Sequence, residues 1–388
     1  MLQKHEICLV LMAAGSSTRF QKMLPFEKKV KKQWLRLDSK PLWKKVLEDL
    51  IALDVFGEVV VGMDENEVIY AQNFCDVKIV AGGKTRTQSL KKILEHVQSP
   101  YVFVTDVARW DIDRDLCLKL ISLCKDYDCV VPFISCVDTI YYKNESINRE
   151  EVKLIQTPQI SQTSKLKIAL DKEYTDESTA MLDHNFRVGF VQGSYKMQKL
   201  TSLEDLRALV NQEKYSPSEN IVTGSGIDIH AFVEKKPMVL GGVTIESPFG
   251  FKAHSDGDVL LHALIDALLG AICGGDIGEW FPDTSKNYEN IDSKILLEKI
   301  RAFVVSVGYE ILHIDVSILA QTPKISPYKK QIQEKLAELL YMKKNQVNIK
   351  ATTAEGLGFV GRKEGVCVMV QATLKFIDYR EIYASINY

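Results

Sequence analysis

The sequence lacks several features, and each absence argues against a class of protein. It has no basic surplus, because 49 Lys and Arg stand against 51 Asp and Glu for a formal net charge of −2, which argues against nucleic-acid binding through phosphate contacts. No apolar run approaches the length of a transmembrane helix. The eight cysteines include no C-x-x-C pair, which indicates reduced thiols. We therefore expect a cytoplasmic protein that binds neither nucleic acid nor membrane.

The length and composition are those of a globular protein with more than one domain. The chain has 388 residues, of which 46% are hydrophobic and 26% charged. A polar stretch that contains a proline follows the helix predicted at Leu203–Val210. We therefore predict an N-terminal domain over residues 1–210, a linker over 211–223 and a C-terminal domain over 224–388.

The N-terminal half alternates short apolar runs with segments of helical spacing. This alternation predicts an α/β, Rossmann-like domain in which helices cover a mainly parallel sheet. The run Ile7–Ala14, which follows Lys4, also fits a short signal peptide, but we interpret it as a first strand that ends in a Gly turn. The predicted strands are Ile7–Met12, Glu58–Gly62, Val77–Ala81, Tyr101–Thr105 and Cys129–Phe133, and the predicted helices are Leu42–Leu53 and Ser89–Val97.

The segment after the first predicted strand has the composition of a phosphate-binding loop. The small residues of Ala13–Thr18 let backbone N–H groups approach a phosphate, and Arg19 can donate two hydrogen bonds to its oxygens. A plain strand–helix turn is the alternative, since the segment is neither a Walker A loop nor G-x-G-x-x-G. A lysine-rich run follows, which is either a solvated surface or a polyphosphate site: Lys22, Lys28, Lys29, Lys31 and Lys32.

Two further strand ends in this half carry polar residues. Gly82–Arg86 follows one predicted strand, and Ser89 is placed either to cap the next helix or to contact a base. The strand Tyr101–Thr105 ends at Asp106, and Arg109 follows. A carboxylate beside a phosphate-binding loop can hold Mg²⁺, which bridges phosphate groups; a helix cap or a surface acid is the alternative.

Together, these motifs resemble those of 2-C-methyl-D-erythritol 4-phosphate cytidylyltransferase, a nucleotidyltransferase, across residues 5–210. The matching segments are Met12-Ala-Ala-Gly-Ser-Ser-Thr-Arg19, Lys32-Gln-Trp-Leu35, Gly82-Gly83, Asp106-Val-Ala-Arg109, Gln156-Thr-Pro-Gln159, Thr175-Asp-Glu-Ser178 and Lys199-Leu-Thr201. The resemblance implies that the erythritol-phosphate oxygen attacks the α-phosphorus of CTP and expels diphosphate.

The resemblance also implies residue roles. Arg19 and Lys32 would be catalytic and neutralise charge on the reacting phosphates, with Mg²⁺ near Asp106. Arg149, which a dimer partner could supply, would help to position the acceptor. The other implied substrate contacts are Ala14, Gly15, Gly82, Ser89, Arg109, Thr157 and Lys199.

The chain departs from the usual pattern of that family at several positions. Roughly eleven residues are inserted between Phe20 and Lys32, which lengthens the catalytic loop. Ser17 stands in place of a common Gly and Thr105 in place of a common His, and Met197 and Gln198 alter the run before Lys199. None of these changes removes a charged residue that the chemistry needs.

The C-terminal half has longer strands and fewer alternations, which predicts an α+β sandwich. The predicted strands are Ile227–Phe232, Met238–Ile245, Ile311–Ala320, Val347–Thr352 and Val366–Leu374, and the predicted helices are Asp258–Cys273, Ile291–Val307 and Ser326–Tyr341.

Histidines and carboxylates in this half have the spacing of a metal site. Asp228 and His230 are two apart, so a strand points them the same way, and Asp258 and His262 are four apart, so a helix places them on one face. One Asp and two His leave an open position, as in catalytic zinc sites; satisfied polar residues at element ends are the alternative. We interpret Asp258 and His262 as the wall of a site and leave Asp266 undecided.

Polar residues after a later strand suggest a phosphate site with a second metal. Ala351-Thr-Thr-Ala-Glu355 supplies hydroxyls and a carboxylate, and Phe359 and Arg362 follow. A capping box formed by Thr352 and Glu355 is the alternative.

The C-terminal motifs resemble those of 2-C-methyl-D-erythritol 2,4-cyclodiphosphate synthase across residues 224–377. The matching segments are Asp228-Ile-His230, His254–His262, Gly275-Asp-Ile-Gly278, Phe281-Pro-Asp283 and Thr352-Thr-Ala-Glu355. The resemblance implies that the 2-phosphate of the substrate attacks the β-phosphorus and releases CMP.

This second resemblance also implies residue roles. Zinc would be bound by Asp228, His230 and His262, while Glu355 would bind Mg²⁺ or Mn²⁺ on the nucleotide diphosphate. His254 and Thr353 would be catalytic. The implied substrate contacts are Ser255, Asp276 and Gly278, of which the last two hold the ribose, together with Asp283, Phe359 and Arg362.

The two resemblances predict a bifunctional enzyme of isoprenoid precursor synthesis. They imply a homo-oligomer with dimeric transferase and trimeric synthase domains. No kinase-like Gly-rich loop is present, so a separate kinase must act between the two steps, and it could associate with this protein. Two alternatives stay open: a sugar-nucleotide transferase fused to a zinc hydrolase, and a binding or scaffold protein with degenerate sites.

Overall fold

The computed structural model describes residues 3–211, 220–253, 256–282, 284 and 291–386. These residues form two compact units. Unit 1 comprises the described residues up to Met23 and those from Lys32 to Asn211, and unit 2 comprises Leu24–Lys31 and those from Asn220 onward. None of the described helices is both long and apolar enough to cross a membrane, and all eight cysteines are free thiols. The sequence did not predict that Leu24–Lys31 belongs to the second unit.

Unit 1 contains short strands and helices in alternation. Its strands are β1 (Ile7–Met12), β2 (Arg36–Leu37), β3 (Lys40–Pro41), β4 (Glu58–Met63), β5 (Lys78–Ala81), β6 (Tyr101–Asp106), β7 (Cys129–Ser135), β8 (Ile140–Tyr142), β9 (Glu145–Ile147), β10 (Lys153–Ile155), β11 (Gln159–Gln162) and β12 (Val188–Gln192). Its helices are α1 (Thr18–Lys22), α2 (Leu42–Ile51), α3 (Val68–Gln72), α4 (Arg86–Leu94), α5 (Arg114–Leu123), α6 (Thr163–Ala169), α7 (Glu177–Asp183) and α8 (Leu203–Val210).

The main sheet of unit 1 has the strand order β10-β7-β11-β6-β1-β4-β5, with β12 paired to β7. Strand β1 lies between β4 and β6 and runs parallel to both, and every one of its residues is buried. Its continuous apolar sequence fits a strand that is covered on both faces. The prediction of a mainly parallel sheet is therefore confirmed, although β10 and β11 run antiparallel to their neighbours.

Unit 2 is built from longer strands. Its strands are β13 (Ile221–Glu234), β14 (Met238–Leu240), β15 (Val243–Ile245), β16 (Phe249–Phe251), β17 (Tyr309–Leu319), β18 (Val347–Thr352) and β19 (Gly365–Phe376). Its helices are α9 (Val259–Ile272), α10 (Ile277–Trp280), α11 (Ser293–Ser306), α12 (Lys329–Leu340), α13 (Gly358–Gly361) and α14 (Tyr379–Ile386).

The sheet of unit 2 has the strand order β16-β13-β19-β17-β18, and α9 packs against it. The predicted α+β class is therefore confirmed. The prediction of a single strand over Met238–Ile245 is wrong, because Gly241 and Gly242 adopt φ values of +63° and +74° and turn the chain into the β14–β15 hairpin. Left-handed backbone at two successive positions is characteristic of tight hairpin turns and favours glycine.

Leu24–Lys31 packs onto unit 2 through aromatic, ionic and backbone contacts. The Arg301 guanidinium carbon lies 5.0 Å from the ring centre of Phe26 and 4.5 Å from that of Tyr341. Lys28 Nζ is 3.0 Å from a Glu381 carboxylate oxygen, and the Lys31 amide donates to the Ser306 carbonyl at 3.0 Å. The segment inserted into the predicted transferase loop is thus an integral part of unit 2.

Helix α9 approaches β13 closely enough to require glycine in the strand. A Cβ atom on Gly226 would lie 2.0 Å from the Ala263 carbonyl oxygen, and one on Gly224 would lie 2.2 Å from that of Ala267. Contacts this short cannot be accommodated without a backbone shift. The two glycines therefore set the distance between the strand and the helix.

We expect Gly226→Ala to destabilise unit 2 by about 3 kcal/mol, because the added methyl group must push α9 away from β13. Urea unfolding of the full chain measures the effect. Gly270→Ala is the matched control, since Gly270 lies in α9 and a Cβ there would meet no atom nearer than 3.8 Å. The control should be neutral or stabilising by up to about 1 kcal/mol. Equal stability of the two variants would contradict the packing argument.

Candidate active sites

A cavity of about 420 Å³ lies at the carboxyl ends of β1 and β6, where ligands bind in open α/β sheets. It brings together residues that are far apart in the sequence and that were predicted to form one site. The predicted residues that line it are Ala14, Gly15, Lys32, Ser89, Asp106 and Lys199.

The turn after β1 is connected to Lys32 by side-chain hydrogen bonds. The Ser17 hydroxyl accepts from the Lys32 amide at 3.2 Å and donates to the Gln33 amide oxygen at 3.0 Å, while Gln33 Nε2 donates to the Gly15 carbonyl at 3.0 Å. Ser17 adopts a left-handed φ of 55°, a conformation that a glycine at this position would adopt more easily. The hydrogen bonds of the Ser17 hydroxyl offset the cost of this backbone conformation, and they join the two ends of the lengthened loop.

The second predicted loop packs directly against the first. A Cβ atom on Gly82 would lie 2.5 Å from the Ala14 Cβ, so this close approach requires glycine. Thr85 caps α4 by accepting from the Gln88 amide at 3.1 Å, and the helix begins at Arg86. The interpretation of Ser89 as the helix cap is therefore wrong. Its hydroxyl accepts instead from the Gly83 amide at 2.9 Å.

Asp106 is at the centre of a charged cluster. Arg86 Nε donates to one of its carboxylate oxygens at 3.2 Å and Lys199 Nζ to the other at 2.7 Å, and Arg86 also pairs with the buried Glu177 at 2.6 Å. Burial raises the pKa of the Asp106 carboxyl, but Arg86 and Lys199 outweigh it and bring the pKa down to about 2. Asp106 is therefore ionised, and a metal ion there would share its oxygens with these two cations. No role for Arg86 was predicted from the sequence.

A smaller cavity of about 210 Å³ adjoins this cluster and includes Arg109, Thr157 and Lys199 in its lining. Arg109 Nε donates to the Thr157 hydroxyl at 3.2 Å. Three predicted residues lie outside the linings of both cavities. Gly82 packs against Ala14, Arg19 is exposed on α1, and the exposed Arg149 donates to the Val137 carbonyl at 2.7 Å. The roles of Arg19 and Arg149 stay predictions.

Thr105 is completely buried, and its hydroxyl has no hydrogen-bond partner among the described residues. Thr105→Val replaces the hydroxyl with a methyl group of similar size, which suits a β-strand. We expect the variant to be more stable by about 1 kcal/mol, because an unsatisfied buried polar group is removed. Chemical denaturation measures this, and Thr105→Ala, which also leaves a small cavity, is the control. A less stable valine variant would indicate a partner for the hydroxyl in solution.

In unit 2, β13 and α9 bring three potential metal ligands together. Asp228 and His230 lie two apart on β13, and His262 lies on α9. One Asp228 carboxylate oxygen is 3.0 Å from His230 Nε2 and 3.2 Å from His262 Nδ1. Ligand atoms from the three side chains lie within 4.8 Å of one another, and the described part of the chain holds no other such group of His, Cys, Asp or Glu. The predicted grouping is observed.

In each imidazole ring, the nitrogen that does not face Asp228 is also hydrogen-bonded. His230 Nδ1 is 3.0 Å from the Gly257 carbonyl, and His262 Nε2 is 2.9 Å from the Ser293 hydroxyl. Burial raises the pKa of Asp228, but its hydrogen bonds to His230 and His262 lower it well below the usual range. Tetrahedral zinc with bonds of roughly 2.0–2.1 Å needs ligand atoms roughly 3.3 Å apart. The oxygen and nitrogen atoms therefore fit a divalent ion such as zinc.

Asp258, His262 and Asp266 form a polar stripe at four-residue spacing along α9, and each of them makes different contacts. Asp258 is completely buried and caps α9 by accepting from the Leu261 amide at 3.1 Å, and it also accepts from Gly241 and Gly242 at 2.8 and 2.6 Å. The interpretation of Asp258 as a site wall is therefore wrong. One turn beyond His262, Asp266 accepts from the Ile277 amide at 2.8 Å.

Asp266 in this way holds the start of α10, which carries two predicted ribose contacts. Asp276 caps α10 by accepting from the Glu279 amide at 3.0 Å, and Gly278 lies within the helix. Both Asp276 and Gly278 are exposed. The stripe thus connects the metal ligand His262 to the predicted ribose-binding turn.

The turn after β18 does not form the capping box that was the alternative to a phosphate site. Thr352 ends β18, and Glu355 is exposed with a left-handed φ of 49° and accepts from the Thr353 hydroxyl. The N-cap of the next helix, α13, is Leu357.

The remaining predicted residues of unit 2 lie in or next to α13, in the turn after β18, or outside the described residues. Phe359 lies in α13, and Arg362 pairs with Glu364 at 2.8 Å. Glu355 is not part of the Asp228–His230–His262 group. Three predicted site residues lie outside the described residues, namely His254, Ser255 and Asp283.

Both units match known protein families. Residues 7–211 match the model of 2-C-methyl-D-erythritol 4-phosphate cytidylyltransferase, and residues 221–375 match that of the YgbB family. The bifunctional enzyme IspD/IspF of Aliarcobacter butzleri is 46% identical over 97% of this chain and 99% of its own length. That of Wolinella succinogenes is 44% identical over 96% of this chain and 97% of its own.

A solved structure covers nearly the whole chain. The bifunctional IspDF from Campylobacter jejuni matches with a TM-score of 0.84 and 42% identity, over 97% of this chain and 100% of that chain. Similarity of this extent covers both units and both groups of site residues. The chain belongs to the bifunctional IspD/IspF family.

Proposed function

We propose that unit 1 transfers the cytidylyl group of CTP to 2-C-methyl-D-erythritol 4-phosphate and releases diphosphate. The observation that supports this most directly is the cavity beside β1 and β6, where Lys32, Arg86 and Lys199 surround the ionised Asp106. Cationic side chains of this kind neutralise the charge that develops on transferring phosphoryl groups. Positioning and electrostatics suffice for this reaction, so no acid–base pair is required.

Within this site we assign each predicted residue a role. Arg19 and Lys32 contact the reacting phosphates, and Asp106 would hold a Mg²⁺ ion, which would supply further positive charge for them. Ala14, Gly15, Gly82 and Ser89 contact the nucleotide. The acceptor is positioned by Arg109, Arg149, Thr157 and Lys199.

We propose that unit 2 converts 4-diphosphocytidyl-2-C-methyl-D-erythritol 2-phosphate into 2-C-methyl-D-erythritol 2,4-cyclodiphosphate. The 2-phosphate oxygen forms a bond to the β-phosphorus, the bond from that phosphorus to the bridging oxygen breaks, and CMP leaves with that oxygen. The group of Asp228, His230 and His262 supports this assignment. A zinc ion bound there would supply positive charge for a diphosphate oxygen of the substrate.

The other residues of this site are assigned by the resemblance of their sequence motifs to those of the synthase family. Glu355 would hold a second ion, Mg²⁺ or Mn²⁺, which would supply positive charge for the diphosphate, and Thr353, which donates to Glu355, stabilises the transition state. Asp276 and Gly278 hold the ribose, and Phe359 and Arg362 contact the nucleotide. The roles of His254, Ser255 and Asp283 stay predictions from the sequence.

We propose that the protein is a cytoplasmic homo-oligomer, with trimeric synthase and dimeric transferase units. On β13, Ile227 and Ile229 are 56% and 51% exposed, and near the β8–β9 hairpin Tyr141 and Tyr142 are 70% and 61% exposed. Exposed apolar residues grouped on one strand or hairpin mark protein–protein contact surfaces. A separate kinase must phosphorylate the product of unit 1 before unit 2 can use it. Sedimentation analysis of the purified chain tests the oligomer.

Two assays of the purified full chain test the proposed function. CTP with 2-C-methyl-D-erythritol 4-phosphate should give diphosphate, and the phosphorylated diphosphocytidyl substrate should give CMP and a cyclic product, which phosphorus NMR identifies. Absence of diphosphate, or a linear bisphosphate in place of the cyclic product, would favour a sugar-nucleotide transferase fused to a zinc hydrolase. Substrate binding without turnover in either unit would favour a scaffold protein.

A further inference from the structure

Ser293 and Asp256 lie behind the metal group, on the side of His262 that faces away from Asp228. The Ser293 hydroxyl is 2.9 Å from His262 Nε2 and donates to one Asp256 carboxylate oxygen at 2.5 Å. The Ser293 amide donates to the other oxygen at 3.1 Å. We propose that Ser293 and Asp256 are positioning residues that fix the ring of His262 so that Nδ1 is presented to the metal ion. This inference rests on the proposed metal site.

The direction of each hydrogen bond follows from the groups involved. A carboxylate that already accepts from a backbone amide accepts from the Ser293 hydroxyl too, so the single hydroxyl proton points toward Asp256. The Ser293 oxygen can then only accept from His262, which places the ring proton on Nε2. A bound metal ion would take the place of the proton that Nδ1 donates to Asp228 at 3.2 Å, and Nδ1 would then offer the ion its lone pair. A partner on the far nitrogen of a ligating histidine sets its tautomer and its orientation.

The support is rigid because it is buried and connects two helices. Ser293 is completely buried and is the first residue of α11. Asp256 also accepts from the amide of Asp258, the residue that caps α9, at 3.2 Å. One carboxylate therefore connects the start of the helix that carries His262 to the start of α11. Rotation of the His262 ring would break this chain of hydrogen bonds.

Three consecutive residues organise both histidine ligands. The Gly257 carbonyl is 3.0 Å from Nδ1 of His230, which leaves Nε2 of that ring toward Asp228. Asp256 acts on His262 through Ser293, and Asp258 fixes the first turn of α9. The support of His230 comes from a backbone carbonyl, whereas that of His262 comes from side chains. The support of His262 can therefore be removed by substitution.

Zinc binding by full-length variants tests the proposal. We expect Ser293→Ala to weaken zinc affinity between about 10-fold and 100-fold, as measured by competition with a chelator. The visible spectrum of the cobalt-loaded protein should change as well, because the ring is no longer held. Asp256→Asn is a second variant that keeps the shape of the side chain, and it should weaken zinc binding in the same way. Cytidylyl transfer by each variant should be unchanged.

Ser306→Ala is the matched control. Ser306 ends the same helix, and its hydroxyl donates to the Phe303 carbonyl at 2.9 Å, away from the metal group. This variant should bind zinc like the unaltered chain. If the unaltered chain binds no zinc, the proposed metal site itself fails. If it binds zinc, and Ser293→Ala and Asp256→Asn bind equally tightly with the same cobalt spectrum, the positioning role is overturned and the metal site stands.

Discussion

Replacing His262 by alanine in the full chain should lower the rate of CMP release by more than about 100-fold, since one of three ligand atoms is lost from the metal group. Diphosphate release from CTP should stay at the level of the unaltered chain. The reason is that residues 12–199 of unit 1 supply the whole lining of the cavity beside β1 and β6. Parallel steady-state assays, together with the zinc content of the purified variant, measure both effects.

His313→Ala is the matched control for this experiment. His313 is an exposed histidine on β17 of the same unit and is not a member of the metal group. It should leave zinc content and both activities unchanged. Loss of cytidylyl transfer together with cyclisation in His262→Ala, with the fold intact, would contradict the assignment of independent sites to the two units.

Spacing indicated a metal site with one Asp and two His, and the family resemblance assigned its three ligands. Two residues two apart on a strand, and one residue on the inner face of a helix, converge wherever that helix packs on that strand. Asp258 shows where such reasoning fails. It shares the four-residue spacing with His262, but it lies at the N-cap of α9, and its other partners, Gly241 and Gly242, lie earlier in the sequence. Spacing does not distinguish an inward-facing ligand from a buried cap.

Strand β13 shows a second limit of the sequence. The predicted strand begins only at Ile227. The structure extends the strand back to Ile221 and uses Gly224 and Gly226 for the close approach of α9. Glycine is uncommon in strand interiors, yet these two glycines are required for the packing that brings His262 to Asp228.

Contacts between distant segments were not predictable from local patterns. Ser293 and Asp256 are 37 residues apart, and neither has a neighbour that marks it as a partner of His262. Leu24–Lys31 has no helical or strand periodicity, so its inclusion in unit 2 leaves no local signal. Arg86 ends the predicted loop Gly82–Arg86, yet its pairing with Asp106 and Glu177 depends on where the fold places α4, β6 and α7.

Replacing Lys32 by alanine should lower kcat/KM for CTP by about 100-fold to 1,000-fold, because a cation that faces the reacting phosphates is removed. Its position is well defined: the amide is bound by Ser17, and Nζ lies 3.4 Å from the Leu200 carbonyl. Lys22→Ala is the matched control, since Lys22 is exposed at the end of α1 and does not line the cavity. Cyclisation by unit 2 should be unaffected in both variants.

The pH dependence of transfer tests the same assignment through the charge of Lys32. Burial lowers the pKa of Lys32, the positive charges of Lys199 and Arg19 lower it further, and Asp106 offsets them only in part, so it lies below the usual lysine value. Since the charged form predominates only below that pKa, kcat/KM for CTP should decline with rising pH before an ordinary lysine would lose its proton. Lys32→Arg keeps its charge, so this decline should disappear even if the rate is lower. An unchanged alkaline limb in Lys32→Arg would assign the titration to another group and remove Lys32 from phosphate stabilisation.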